Sequence, residues 1–86
     1  MIRKDTIEAM KDLIMIIAKG LVEDHNAITV TEHPGREPDV TVYELHVAPE
    51  EMGKVIGKQG NIAKAIRTVV KAAAIRDNRR VVVEIV

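Results

Sequence analysis

The four residues Gly57-Lys58-Gln59-Gly60, set between two stretches of helical pattern, constrain this chain more than any other feature. Two glycines enclosing two polar residues let the main chain turn sharply. They also leave its amides open to an approaching ligand, because no β-carbon stands in the way. The amides after Gly57 are expected to emerge at the start of a new helix. Unpaired N–H groups and the positive end of the helix dipole favour an anion there, and Lys58 adds a mobile positive charge. Spacing excludes two other glycine signatures. A P-loop needs four residues between its glycines and then Lys-Ser/Thr, whereas Gly53 and Gly57 enclose three and Lys58 is followed by Gln59. A dinucleotide-binding turn needs a glycine where Val55 stands and a strand leading into it.

Periodicity places the loop within a longer order of elements. Asp5 or Thr6 suits an N-cap, Glu8 lies in the first turn, and Ile7, Met10, Leu13, Ile14, Ile17 and Leu21 form one apolar stripe of a helix reaching about Lys19. Met15 and Ile16 fall off that stripe. Residues 26–32 alternate as a half-buried strand, with Ile28 and Val30 on one face. Two prolines and a glycine make residues 33–39 a loop. A second strand follows over residues 40–47, with Tyr43, Leu45 and Val47 facing the core and Val42, Glu44 and His46 facing away. The two strands read as a hairpin.

Pro49 then opens a short helix that ends at Gly57. Glu50 and Glu51 suit its first turn, and Met52, Val55 and Ile56 share one side. After Gly60 a longer helix runs to about Ile75. It is expected to turn Ile62, Ile66, Val69, Val70 and Ala73 inward and Lys64, Arg67 and Lys71 outward. Residues 76–79 turn the chain, and residues 80–86 form a last strand with Val81, Val83 and Ile85 on one face.

At 86 residues the chain reads as one domain, 1–86. Cysteine is absent, no charged-then-apolar leader opens the sequence, and the longest apolar run is residues 13–18, so a soluble cytoplasmic protein is expected. Net charge is zero, but its distribution is uneven. Residues 1–52 carry five Lys/Arg and eleven Asp/Glu, a balance of −6, whereas residues 53–80 carry eight Lys/Arg against Asp77 alone, a balance of +7. Glu84 restores zero. A basic block beginning at the glycine loop is an electrostatic footprint for phosphate. Catalysis finds no support in the sequence, because His25, His33 and His46 are scattered, metal-ligand spacing is absent and no nucleophile–base set can be assembled. No enzyme activity, cofactor or metal is expected.

The run from Gly53 to Arg67, with the apolar pair Val55-Ile56 before the loop and Ile62 and Ile66 after it, resembles the core of a KH domain, whose GXXG loop clamps the backbone of about four nucleotides. The order helix-strand-strand-helix-helix-strand matches the type II arrangement of that family. The resemblance implies an α+β fold in which three helices cover one face of a mixed three-stranded sheet. The two-helix crossover is long enough to make the second and third strands parallel, while the strand order stays open. Tyr43 is the only aromatic residue. RRM and OB modules stack bases on exposed aromatics, whereas a KH groove can hold them on aliphatic surface, here Val55, Ile56 and Ile62.

Over nearly its whole length the chain is similar to the small, stand-alone bacterial KH-domain RNA-binding proteins of the KhpA type. That resemblance implies single-stranded RNA as partner, a post-transcriptional or RNA-chaperone role, a homodimer, and pairing with a larger KH-containing protein of the KhpB type. The candidate RNA-binding residues are Gly57, Lys58, Gln59 and Gly60 with Lys54, Val55, Ile56, Asn61, Lys64 and Arg67, and Arg79 and Arg80 on the far side. The amides of Lys58, Gln59 and Gly60 would hold the RNA backbone. Asn61 departs from the family, which often carries a basic residue straight after the loop. The alternative is a protein-interaction module that assembles through Met15, Ile16 and the helices flanking the loop, with RNA in a minor role.

Overall fold

The computed structural model describes residues 6–76 and 78–86. Three α-helices and three strands follow in the expected order: α1 (Thr6–Leu21), β1 (Thr29–Pro34), β2 (Val40–His46), α2 (Met52–Ile56), α3 (Asn61–Ile75) and β3 (Arg80–Ile85). Of the two N-cap candidates, Asp5 lies outside the described residues and Thr6 is the first residue of α1. Asp77 of the last turn also lies outside them.

The sheet has the order β1-β2-β3. β1 and β2 are antiparallel, with Val30 opposite Leu45, and β2 and β3 are parallel, with Tyr43 opposite Val83. The parallel pair follows from the crossover through α2 and α3, which carries the chain back to the same end of the sheet. Alternation assigns the faces. Tyr43, Leu45, Val81 and Val83 are buried under the helices, whereas Val82 and Glu84 are exposed.

The first strand lies later than its alternation suggested. His25–Ala27 form a 3₁₀ turn, closed by the Ile28 amide donating to the His25 carbonyl at 3.3 Å, and β1 runs on through His33 and Pro34, which the pattern assigned to the loop. Ile28 is buried all the same. Proline is tolerated at Pro34 because it ends an edge strand, where a missing N–H breaks no central ladder.

Helix packing also departs from the stripe in detail. The deepest residues of α1 are Met10, Ile14 and Ala18, while Leu13, Ile17 and Leu21 pack at the margin of the core. Met15 joins that margin, and Ile16 is exposed. In α3 the buried set is Ala63, Ile66, Val70 and Ala74, and Val69, expected inside, is 47 % exposed. Ile14 and Ala18 of α1 and Val70 and Ala74 of α3 have no exposed surface, and the apolar residues off these positions turn to the flanks. Leu13, Ile17 and Leu21 thereby face Ile62, Ala65 and Val69 across an apolar groove of about 390 Å³ between α1 and α3.

Leu45 lies on β2, the central strand of the sheet, with no exposed surface. Leu45→Ala is expected to destabilise the fold by about 2–5 kcal/mol, through lost burial and the cavity left behind. Ile16→Ala, at an exposed helix position, should change stability by less than about 0.5 kcal/mol. Urea unfolding followed by circular dichroism checks both.

Candidate functional site

The helix that leads into the loop is anchored by Glu51, whose partners lie far from it in sequence. Glu51 closes the 3₁₀ turn Pro49–Glu51 ahead of α2, and its side chain is only 8 % exposed. Its two oxygens accept the backbone N–H groups of Glu23, at 2.8 Å, and Asp24, at 3.0 Å, where the chain leaves α1. Lys54 donates to the same carboxylate at 3.1 Å. The role expected of Glu50 and Glu51, favourable charge at a helix start, does not account for Glu51. It makes no capping bond to its own helix and instead ties the start of α2 to the end of α1. These two amide bonds, followed by Lys54, hold its pKa at about 2, below the usual carboxylate range, against the opposing effect of desolvation. Lys54 is correspondingly raised by the hydrogen bond and charge of Glu51.

α2 lasts five residues and stops at Gly57, whose φ of 76° and ψ of 174° lie in a region open essentially to glycine alone. Space demands glycine there as well, since a β-carbon would meet Cγ1 of Ile62 at 2.5 Å. Lys58–Gly60 form a 3₁₀ turn in which Gln59 (φ 57°) and Gly60 (φ 77°) are left-handed. A left-handed glutamine is uncommon, and such strain gathers at functional loops.

The amides divide accordingly. Gly57 N–H donates to the Gly53 carbonyl at 2.9 Å and Gly60 N–H to the Gly57 carbonyl at 3.1 Å, while the Asn61 amide closes on Lys58. The loop is thus a separate turn ahead of α3 and not the first turn of the helix itself. The Gly60 amide, expected to face a ligand, is used inside the loop. Lys58 and Gln59 stand exposed at its tip, and nothing lies within 4 Å of where a Gly60 β-carbon would be.

The structure sorts the basic block. Lys54 is paired with Glu51, and Arg80 is paired with Glu37 at 2.6 Å and Asp39 at 3.6 Å, partners that raise its pKa further. Among the described residues, Lys58, Lys64, Arg67 and Lys71 enter no ion pair. Arg67 also donates its Nε to the Val83 carbonyl at 3.1 Å, which ties α3 to β3.

Of the remaining sequence candidates, Ile56, Asn61 and Lys64 lie on or beside the loop and are exposed. Val55 is fully buried and belongs to the core. Arg79 and Arg80 follow the far end of α3, whose 15 residues span about 22 Å. Sequence reasoning missed the tie from Glu51 to Glu23 and Asp24, for a contact across 28 residues leaves no local pattern.

A family model described as KhpA/KhpB, KH domain, matches residues 11–85. The chain belongs to that family. It is 61 % identical to the RNA-binding protein KhpA of Clostridium perfringens over 77 residues, which are 90 % of this chain and all of the relative. It is 46 % identical to the RNA-binding protein KhpA of Aquifex aeolicus, over 92 % of this chain and 98 % of that one. Among solved structures, Era of Aquifex aeolicus bound to GDP and aluminium fluoride superposes with a TM-score of 0.65 at 20 % identity, covering 96 % of this chain and 31 % of that chain. Era in complex with MgGDPNP and a segment of 16S ribosomal RNA gives 0.61 at 22 % identity, covering 88 % of this chain and 28 % of that one. This chain therefore spans about a third of those proteins, and the likeness shows the type II KH fold. KH domains are not an enzyme family, and the curated relatives carry the name of RNA-binding proteins. Among the described residues no helix is long and apolar enough to cross a membrane.

Two outcomes follow from this geometry. Gly57→Ala combines a forbidden backbone region with a clash on Ile62 and should cost about 2–4 kcal/mol, against about 1–2 for Gly60→Ala, where only φ is strained. Paired urea titrations separate them. The folded pKa of Glu51 lies below its ordinary value of 4.5, so its stabilisation is complete above about pH 4.5 and is lost as pH falls toward about 2. Glu51→Gln should lower the urea midpoint at neutral pH and flatten its fall across that acid window, as measured by unfolding at a series of pH values.

Proposed function

We propose that this chain binds single-stranded RNA by clamping its backbone at Lys58-Gln59 and does not act as an enzyme. The observation that carries the reading is the loop itself. Gly57 reverses the chain so that two polar residues stand at an exposed tip, over a glycine that puts no side chain in the way. The amides of Lys58 and Gln59 hold the phosphates, the Gly60 amide being committed to Gly57. Lys58, Lys64 and Arg67 supply unneutralised charge, and Ile56 with the partly buried Ile62 offers aliphatic surface to the bases. Asn61 lies beside the first phosphate as a neutral neighbour. The names of the curated relatives and the ribosomal RNA in the complex of a structural neighbour agree with this reading. Its cellular counterpart is a post-transcriptional regulator or RNA chaperone in the cytoplasm.

A second reading has one specific observation in its favour, the apolar groove between α1 and α3, which ends at Asn61 and Ile62 beside the loop. A homodimer, or a heterodimer with a larger KH-containing protein of the KhpB type, would cover such a groove. Two linked clamps on one strand would also raise affinity through effective concentration. Sedimentation with and without RNA separates the arrangements: dimers that use the loop face dissociate when RNA is added, and dimers that use another face persist.

The double variant Lys58→Asp with Gln59→Asp is expected to weaken RNA binding at least about tenfold while the circular dichroism spectrum stays native. Three phosphate contacts by Lys58, Lys64 and Arg67 predict a slope near −2 for log affinity against log salt, made shallower by about 0.7 in Lys64→Ala. Fluorescence anisotropy measures both, and binding unchanged by the double variant would overturn the clamp.

A further inference from the structure

The cations of α3 are in line. Lys64, Arg67 and Lys71 are three and four residues apart, so they share one face of the helix, and Ile75 continues the row. The row runs beside β3, to which Arg67 is bonded. It ends at a cleft of about 250 Å³ where the last turn of α3 meets the starts of β2 and β3, lined by Val40, Lys71, Ile75, Arg79, Arg80 and Val82. Ile75 is 70 % exposed and Val82 41 %, so two large apolar side chains stand uncovered in a basic setting. Arg80 is a wall of this cleft whose charge is already compensated by Glu37 and Asp39. Lys71 and Arg79 enter no ion pair among the described residues.

We infer that this cleft is a second contact for the strand held at the loop, taking the base of a nucleotide beyond the clamped four on Ile75, Val82 and Val40, with Lys71 and Arg79 on the adjoining phosphates. The inference rests on the clamp reading above. Its length is set by α3: Lys71 and Ile75 stand ten and fourteen residues past Asn61, about 15 and 21 Å along the helix. A strand that starts at the loop and is laid along the cationic row must pass Lys64 and Arg67 before it reaches the cleft, so the cleft takes a nucleotide past those held at the loop. Apolar side chains suit the face of a base, and the two unpaired cations suit the backbone on either side of it. The occupant is therefore RNA continuous with the clamp, and the selectivity it adds is that of one further base.

The test compares a four-nucleotide RNA with the same RNA lengthened by three nucleotides at either end, using anisotropy at fixed salt. The protein should bind one of the lengthened RNAs about tenfold more tightly than the short one. Ile75→Glu, at a position too exposed to disturb folding, should abolish that gain and leave the affinity for the short RNA unchanged, and Ile75→Leu should keep the gain. Equal affinity for all lengths, or a gain that survives Ile75→Glu, overturns the second contact while leaving the clamp intact. Short-RNA binding that is indifferent to Lys58→Asp with Gln59→Asp overturns the clamp, and the second contact falls with it.

Discussion

Where Gly57 meets Ile62, a side chain occupies the space that any other residue at position 57 would need for its own β-carbon. That contact lets α2 end, the chain reverse and α3 begin within four residues, with α2 and α3 packed closely enough to share one core. The ε-region backbone at Gly57 and the left-handed backbone at Gln59 and Gly60 follow from the same reversal. Together they hold Lys58 and Gln59 away from the body of the protein. The exposed tip and the packed core are therefore two sides of one geometric requirement, and strain at Gln59 is sustained because both flanking helices are anchored.

Anchoring comes from opposite ends. α3 is held through Ile66, Val70 and Ala74 in the core and through the bond from Arg67 to the Val83 carbonyl. α2, only five residues long, is too short to be stable by itself and depends on Val55 in the core and on the carboxylate of Glu51. Glu51 is nearly buried but fully satisfied by two amides and Lys54, and this keeps an ionised group at such a position from being a liability. The same bond removes Lys54 from the charges free to meet a ligand, as Glu37 and Asp39 do for Arg80. Among the described residues, the cations of the basic block left outside ion pairs thus include Lys58 at the loop tip and the row Lys64, Arg67 and Lys71 of α3.

Much of this was legible in the residues. The alternation Tyr43-Leu45-Val47 and Val81-Val83 showed which face of each strand is buried, and the proline before Glu50 and Glu51 marked the 3₁₀ turn that leads into α2, which itself begins three residues later at Met52. The helix boundaries at the loop are those the glycines imply. Legibility failed where a local pattern had two physical outcomes. Residues 26–28 alternate like a strand but close a 3₁₀ turn, and Pro34 looked like a breaker but ends an edge strand. Val69 and Val55 each belong to an apolar set at helical spacing, yet one is nearly half exposed and the other sealed, because Val55 enters the core whereas Val69 lines the open groove between α1 and α3.

By itself, then, the sequence determined the order of elements and the position of the GXXG turn, since both follow from periodicity, glycine and proline acting over a few residues, while the type II KH arrangement was implied by the family resemblance of that order and turn. Tertiary structure alone decided the strand order, how the carboxylate of Glu51 is satisfied and which carboxylates pair with Arg80. Those properties depend on partners such as Glu23 with Glu51 and Glu37 with Arg80, separated by 28 and 43 residues. Hydrogen bonds and ion pairs at such separations are fixed only once the helices have docked on the sheet.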